Sequence, residues 1–176
     1  NLFIDEHILR FLARKGFSNS TYLSKNRLGK LNFGPLWDFN EALGTKEPPQ
    51  GDTGAPDGDE AFKSLWFGRL FEDPDFAQQW ADRWQELRRT GLFNDRNFAD
   101  IIDGMQVQLA EAQVRNFARW PEVRPSNGTY SERGLTGWEG ELSNIKGWLA
   151  QRLQWIDTLL LVPVSFNQQG GTVPVG

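Results

Sequence analysis

Cysteine is absent from the 176 residues, which excludes disulfides, cysteine nucleophiles and thiolate metal sites. It leaves the redox compartment open. One histidine, His7, excludes clusters of imidazole ligands and leaves a Ser-His-Asp triad only that ring as base. His7 falls inside an apolar-periodic stretch, so a half-buried helix residue is the expectation. No apolar run reaches the ~18 residues that a membrane-spanning helix needs, and no signal-peptide pattern is read. A surplus of basic side chains is missing too. Nineteen Lys and Arg against twenty-three Asp and Glu give a net charge of −4, which argues against a nucleic-acid partner bound by bulk charge.

What is present is an ordinary globular composition, with 39% apolar and 24% charged residues. A chain of this length is one domain able to bury a real core. Its charge is uneven. Residues 1–30 hold six basic groups, Arg10, Arg14, Lys15, Lys25, Arg27 and Lys30, against Asp5 and Glu6. Residues 46–60 hold Lys46 against Glu47, Asp52, Asp57, Asp59 and Glu60. The basic opening reads first as a solvated helix face, and alternatively as a surface for an anion.

Hydrophobic spacing predicts a mainly α fold with a small β-hairpin near the N-terminus. Ile4, Ile8, Phe11 and Leu12 mark a helix over residues 2–14, stopped by Gly16. Thr21–Ser24 and Lys30–Phe33 read as two short strands joined by a turn over Asn26–Gly29. Residues 45–58 are rich in Pro, Gly and Asp and read as a mobile acidic loop. Phe62, Leu65, Trp66 and Leu70 keep helical spacing. Asp73-Pro74 is a cap followed by proline at the first helical position, opening a helix to Arg89 with Phe76, Trp80, Trp84 and Leu87 on one face. Asn94 or Asp95 opens another, with Ile101, Ile102, Met105, Leu109 and Ala112 inward, ending near Arg119 and Pro121. Residues 121–134 read as a second loop. A last helix, about Gly137–Leu160, carries Trp138, Leu142, Ile145, Leu149, Arg152 and Ile156. Six of the eight tryptophans (66, 80, 84, 138, 148 and 155) sit at core spacing. Residues 1–162 are thus taken as one unit and 163–176 as a linker toward a further β domain. The chain opens on Asn1 within a helix, so it is read as part of something longer.

Residues 34–40, Gly-Pro-Leu-Trp-Asp-Phe-Asn, fit neither a helix nor a long strand. Glycine permits conformations that other residues resist, and proline fixes the next step. Alternation would send Trp37 and Phe39 into the core and Asp38 and Asn40 outward from a rigid mount. A carboxylate beside an amide oxygen is a hard-oxygen pair that suits Mg²⁺. Asp and Asn after a turn also commonly cap backbone groups, and both readings stay open on the residues alone.

The run Ser20-Thr21-Tyr22-Leu23, then Lys25-Asn26-Arg27-Leu28-Gly29-Lys30-Leu31, then Gly34-Pro35-Leu36-Trp37-Asp38-Phe39-Asn40 with Ala42-Leu43-Gly44, resembles the signature of the CotH kinase family. Asp73-Pro74-Asp75-Phe76, Glu111 to Phe117 and Leu149 to Asp157 are similar to its later half, so the resemblance covers about residues 1–160. It implies the C-terminal lobe of an atypical protein-kinase-like fold, using ATP and Mg²⁺ to phosphorylate Ser or Thr of a protein substrate. Asp38 takes the place of the metal-holding aspartate, and Asn40 a supporting place where the family often has a second Asp. Two departures follow. The family's catalytic aspartate falls on Lys15, with Ala13 at the preceding Asn place, while Gly16 and Phe17 fit. No Asp or Glu lies between Glu6 and Asp38 to replace it. A charged lysine cannot accept a hydroxyl proton, although it can hold a phosphate. The nucleotide-cradling N-terminal lobe is the second departure, expected upstream of Asn1. The expectations are therefore a kinase fragment inactive in isolation, or a pseudokinase-like binding module of an exported multidomain protein, secreted or at the cell surface. A helical scaffold is a third.

Overall fold

The computed structural model describes residues 2–14, 20–39, 42–44, 55–63, 66–121 and 137–160. Among these described residues six helices and two strands follow in the order α1 (Leu2–Ala13), β1 (Leu23–Lys25), β2 (Leu31–Phe33), α2 (Glu60–Lys63), α3 (Phe67–Leu70), α4 (Pro74–Arg89), α5 (Asp95–Arg119) and α6 (Gly137–Leu160). The class is as the hydrophobic spacing predicts: mainly helical, with one antiparallel hairpin. β1 starts and ends later than expected. The Gly29 N–H donates to the Asn26 carbonyl at 3.0 Å, and that tight turn sets the register at Leu23–Phe33, Ser24–Asn32 and Lys25–Leu31.

α1 is the central element, packed against β2, α4 and α6. Ile4, Ile8, Phe11 and Leu12 recur at helical intervals and are all buried, the stripe by which an amphipathic helix meets a core. They join Phe33 of β2, Phe67 of α3, Trp80, Trp84 and Leu87 of α4, and Trp148, Leu149, Leu153 and Ile156 of α6. His7 is not half-buried but fully enclosed, ringed by Phe62, Phe67 and Phe71. Its Nδ1 accepts from the Trp80 indole N–H at 3.0 Å, because a buried indole donor needs a partner.

α4 begins as its cap predicts. The Asp73 carboxylate accepts from the backbone N–H of Asp75 at 2.9 Å. The Trp84 indole N–H donates to Asp157 of α6 at 2.9 Å, and Arg88 donates to the same carboxylate at 2.7 Å. Arg83 of α4 donates to Asp5 of α1 at 2.7 Å and to Glu86 at 2.7 Å. Those hydrogen bonds, Asp5 first, raise the guanidinium pKa above its already high ordinary value.

Three expectations need correction. α5 buries none of its residues. Ile101, Met105 and Leu109 are exposed, while Phe98 and Ile102 touch the edge of the core. The helix lies at the periphery with α6 as its main partner; of the expected inward stripe Ile102 keeps its place, joined by Phe98. Trp66 is exposed and Phe67 takes the core position, because two short helices replace the continuous one; Leu65 lies outside the described residues. The basic opening is solvated only in part: Arg10 is 0% and Arg14 8% exposed, while Lys25, Arg27 and Lys30 are exposed as expected. The described end of the acidic loop, residues 55–58, accepts hydrogen bonds from two arginines. Arg152 of α6, itself 1% exposed, donates to the carbonyls of Pro56 at 2.9 Å, Gly58 at 3.0 Å and Phe11 at 2.7 Å. Arg14 donates to the Ala55 carbonyl at 2.7 Å. Residues 45–54, 122–136 and 163–176 lie outside the described residues. No helix among the described residues is long and apolar enough to cross a membrane.

Candidate functional site around Asp38

The hairpin delivers the chain from Phe33 into Gly34, whose φ of 115° is open to glycine and strained for other residues. The Gly34 N–H donates to the Tyr22 carbonyl at 3.0 Å. A Cβ at Gly34 would come within 3.4 Å of Glu6 Oε2, so the turn passes close over α1. The Gly34–Pro35 peptide bond is cis.

Strict alternation then fails, and the reason is local. Asp38 sits in the left-handed region at φ 61°, uncommon for a non-glycine residue although aspartate tolerates it better than most. This reversal leaves Trp37 58% exposed, where alternation expects it inside. Phe39 turns back toward α1, its ring 5.4 Å from the guanidinium carbon of Arg10. Asp38 stays at the surface as expected, and its Oδ2 accepts from the Ser20 hydroxyl at 2.7 Å. Ser20 is itself left-handed, at φ 55°.

The far end of the segment is anchored as firmly. Ala42 is buried, and the Leu43 N–H donates to the carbonyl of Ala13 at the end of α1, at 2.9 Å. Gly44, at φ 76°, lies so close to α6 that a Cβ would stand 2.5 Å from Trp148 Cδ1. Asp38 is therefore carried on a turn fixed to α1 on both sides and to α6 on one.

Beneath the turn lies a buried ion pair. Arg10 donates to Glu6 Oε1 at 3.0 Å, and both side chains are buried. The same guanidinium donates to the Ser20 carbonyl at 2.5 Å and sits over the rings of Phe33 and Phe39. Arg10 thus ties together α1, the start of the hairpin, β2 and the residue after Asp38. Spacing gave no sign of it. Arg10 stood out only as one charge in a basic stretch, and Ser20 only as a letter in a motif.

The other two sequence-predicted residues, Lys15 and Asn40, lie outside the described residues. No group of three or more His, Asp or Glu converges among the described residues. A single exposed, oriented carboxylate fits Mg²⁺ used with a nucleotide, since this ion takes one or two carboxylates and completes its shell with phosphate oxygens and water. It does not fit an all-protein metal cage. A cleft of about 430 Å³ between α4 and the end of α6, lined by Trp84, Arg88, Asn94, Asp157 and Leu160 among others, shares no residue with this segment. Its Asp157 is engaged by Trp84 and Arg88, so its chemistry is that of helix packing.

Residues 11–156 match the family model described as CotH kinase protein. That span runs from Phe11 in the core, through the hairpin and Asp38, to Ile156 of α6. Comparison with the curated proteins and with the solved structures gives no match.

Proposed function

The chain belongs to the CotH kinase family, and from that premise we propose that it is the metal-holding part of a kinase-like transferase. Asp38 holds Mg²⁺ against the phosphates of ATP, for transfer to Ser or Thr of a protein. The observation that carries this reading is the presentation of Asp38: a surface carboxylate on a left-handed turn, fastened to the core at both ends and oriented by a neighbouring hydroxyl. Kinases depend on positioning and charge more than on covalent chemistry by the protein, and this turn supplies positioning. When bound, the ion neutralises phosphate charge and aligns the nucleotide. The chain's own residues hold it in place: Asp38 as ligand, Ser20 as its hydrogen-bond donor, and Asn40, two residues on, as a further oxygen donor. We assign the chain the place of the C-terminal lobe, with the phosphate cradle and its lysine supplied by another lobe. On that assignment these 176 residues alone transfer no phosphate.

A second reading rests on Lys15. An ammonium at the family's catalytic-base position cannot take up the acceptor's proton while charged, and it attracts phosphate. This favours a pseudokinase-like module of an exported protein, which binds nucleotide without transferring it.

Calorimetric titration of the full-length protein with ATP, with and without Mg²⁺, tests the shared part of both readings. Magnesium-dependent binding is expected, weakened at least tenfold by Asp38→Ala. Equal binding by the variant refutes the role of Asp38. Transfer of labelled γ-phosphate to a protein acceptor then supports the first reading, and binding without transfer the second.

A further inference from the structure

We propose that Ser20 is a positioning residue for the metal ligand, and that the buried Glu6–Arg10 pair sets its aim. This inference deepens the reading of Asp38 as a Mg²⁺ ligand and rests on it.

Two non-glycine residues, eighteen positions apart in the chain, both occupy the left-handed region and face each other through one hydrogen bond: Ser20 at φ 55° and Asp38 at φ 61°, with Oγ to Oδ2 at 2.7 Å. Such conformations persist only where the surroundings over-determine them. For serine the surrounding is visible. Its carbonyl is held by Arg10 at 2.5 Å, and Arg10 is in turn held by Glu6 at 3.0 Å and by the two phenyl rings of Phe33 and Phe39. The guanidinium is planar and forked, so fixing its Nε on Glu6 also fixes where its Nη2 points. The Ser20 backbone is thereby set, and its hydroxyl faces the carboxylate. The sequence of constraint runs from α1 outward: Glu6, Arg10, the Ser20 carbonyl, the Ser20 hydroxyl, Asp38.

The chemical consequence concerns the second oxygen. A carboxylate on a free rotor presents two equivalent oxygens to a cation. With Oδ2 engaged by a hydroxyl, the group no longer turns freely, and Ser20 helps to set how the carboxylate meets the ion. Groups that orient a metal ligand in this way commonly carry about 10- to 100-fold of metal affinity. Ser20 would touch neither nucleotide nor acceptor, so its effect is on the ion first.

Substitution to glycine separates the two roles that Ser20 could have. Ser20→Gly removes the hydroxyl and relieves the left-handed backbone, so a purely structural serine becomes stabler or stays neutral, with metal affinity unchanged. A positioning serine loses metal affinity while stability holds. The measurement is Mn²⁺ affinity by electron paramagnetic resonance, with ATP present, on the full-length protein, alongside the thermal midpoint. Wild type, Ser20→Gly, Ser20→Ala and Asp38→Ala are compared. The expected result is Mn²⁺ binding at least tenfold weaker in both Ser20 variants, with a thermal midpoint in Ser20→Gly no lower than wild type. If Asp38→Ala abolishes binding and both Ser20 variants bind like wild type, the positioning role is wrong and the Asp38 assignment stands. If wild type binds no Mn²⁺, or Asp38→Ala binds as wild type does, the metal assignment fails and this inference falls with it.

Discussion

Removing the charge of Glu6 while keeping its shape is the sharpest test of how the Asp38 turn is held. Arg10 is fully buried and Glu6 6% exposed, and they meet at 3.0 Å. Glu6→Gln leaves the packing unchanged and deprives a buried guanidinium of its counter-charge. Breaking a buried pair from one side typically costs about 3–5 kcal/mol. Because the glutamine amide oxygen can still accept from Arg10, the lower end, about 3 kcal/mol, is expected here. For a chain of this size each kcal/mol moves the thermal midpoint by about 2–4 °C, so a fall of about 6–12 °C follows. Urea unfolding followed by tryptophan fluorescence reads the same loss, since Trp80, Trp84 and Trp148 are in the core. The double variant Glu6→Leu/Arg10→Met removes both charges together. It leaves the Ser20 carbonyl without its donor, at about 1–3 kcal/mol, but no charge stranded. It should therefore be less damaging than the sum of Glu6→Leu and Arg10→Met by more than ~1 kcal/mol. A Glu6→Gln cost below ~1 kcal/mol, or strict additivity in the cycle, would refute the view that this pair anchors the turn.

Two further outcomes follow from contacts elsewhere. Gly44→Ala is expected to cost about 2–5 kcal/mol, combining ~1–2 for a side chain in the left-handed region with ~1–3 for displacing the Trp148 ring; a midpoint within 2 °C of wild type, on the order of half a kcal/mol for this size, would contradict the contact. Arg152→Met removes the donor to the carbonyls of Phe11, Pro56 and Gly58, at about 1–3 kcal/mol for each one left unpaired, and should speed hydrogen exchange over residues 55–60; unaltered exchange there would argue against Arg152 as the holder of that segment.

The elements with strong periodicity or a cap were legible in the sequence. α1, α4 and α6 follow from apolar spacing, and the Asp73-Pro74 start of α4 from cap chemistry. What was not legible depends on partners far away in the chain. The apolar stripe of α5 has helical spacing, yet most of it faces outward because the core is already filled by α1, α4 and α6. Trp66 and Phe67 exchange roles through a break between two short helices, which spacing alone does not locate. Asp38 was singled out from its motif. The alternation argument that placed Trp37 inside failed, because one left-handed residue reverses the chain. Ser20 stood only as a letter in a motif, and Glu6 and Arg10 gave no sign of their burial: a buried ion pair and a solvated one look alike in a sequence.

The core face of the first helix is closed by the last one. Arg152 reaches the Phe11 carbonyl across 141 positions, and Trp148 meets Gly44. On a ribosome adding about 5–20 residues per second, α1 waits on the order of ten seconds for that partner. A nascent chain that has completed the Asp38 turn still lacks the surface that fixes it. Stalled or prematurely ended products would thus expose Ile8, Phe11 and Leu12 to chaperones and proteases.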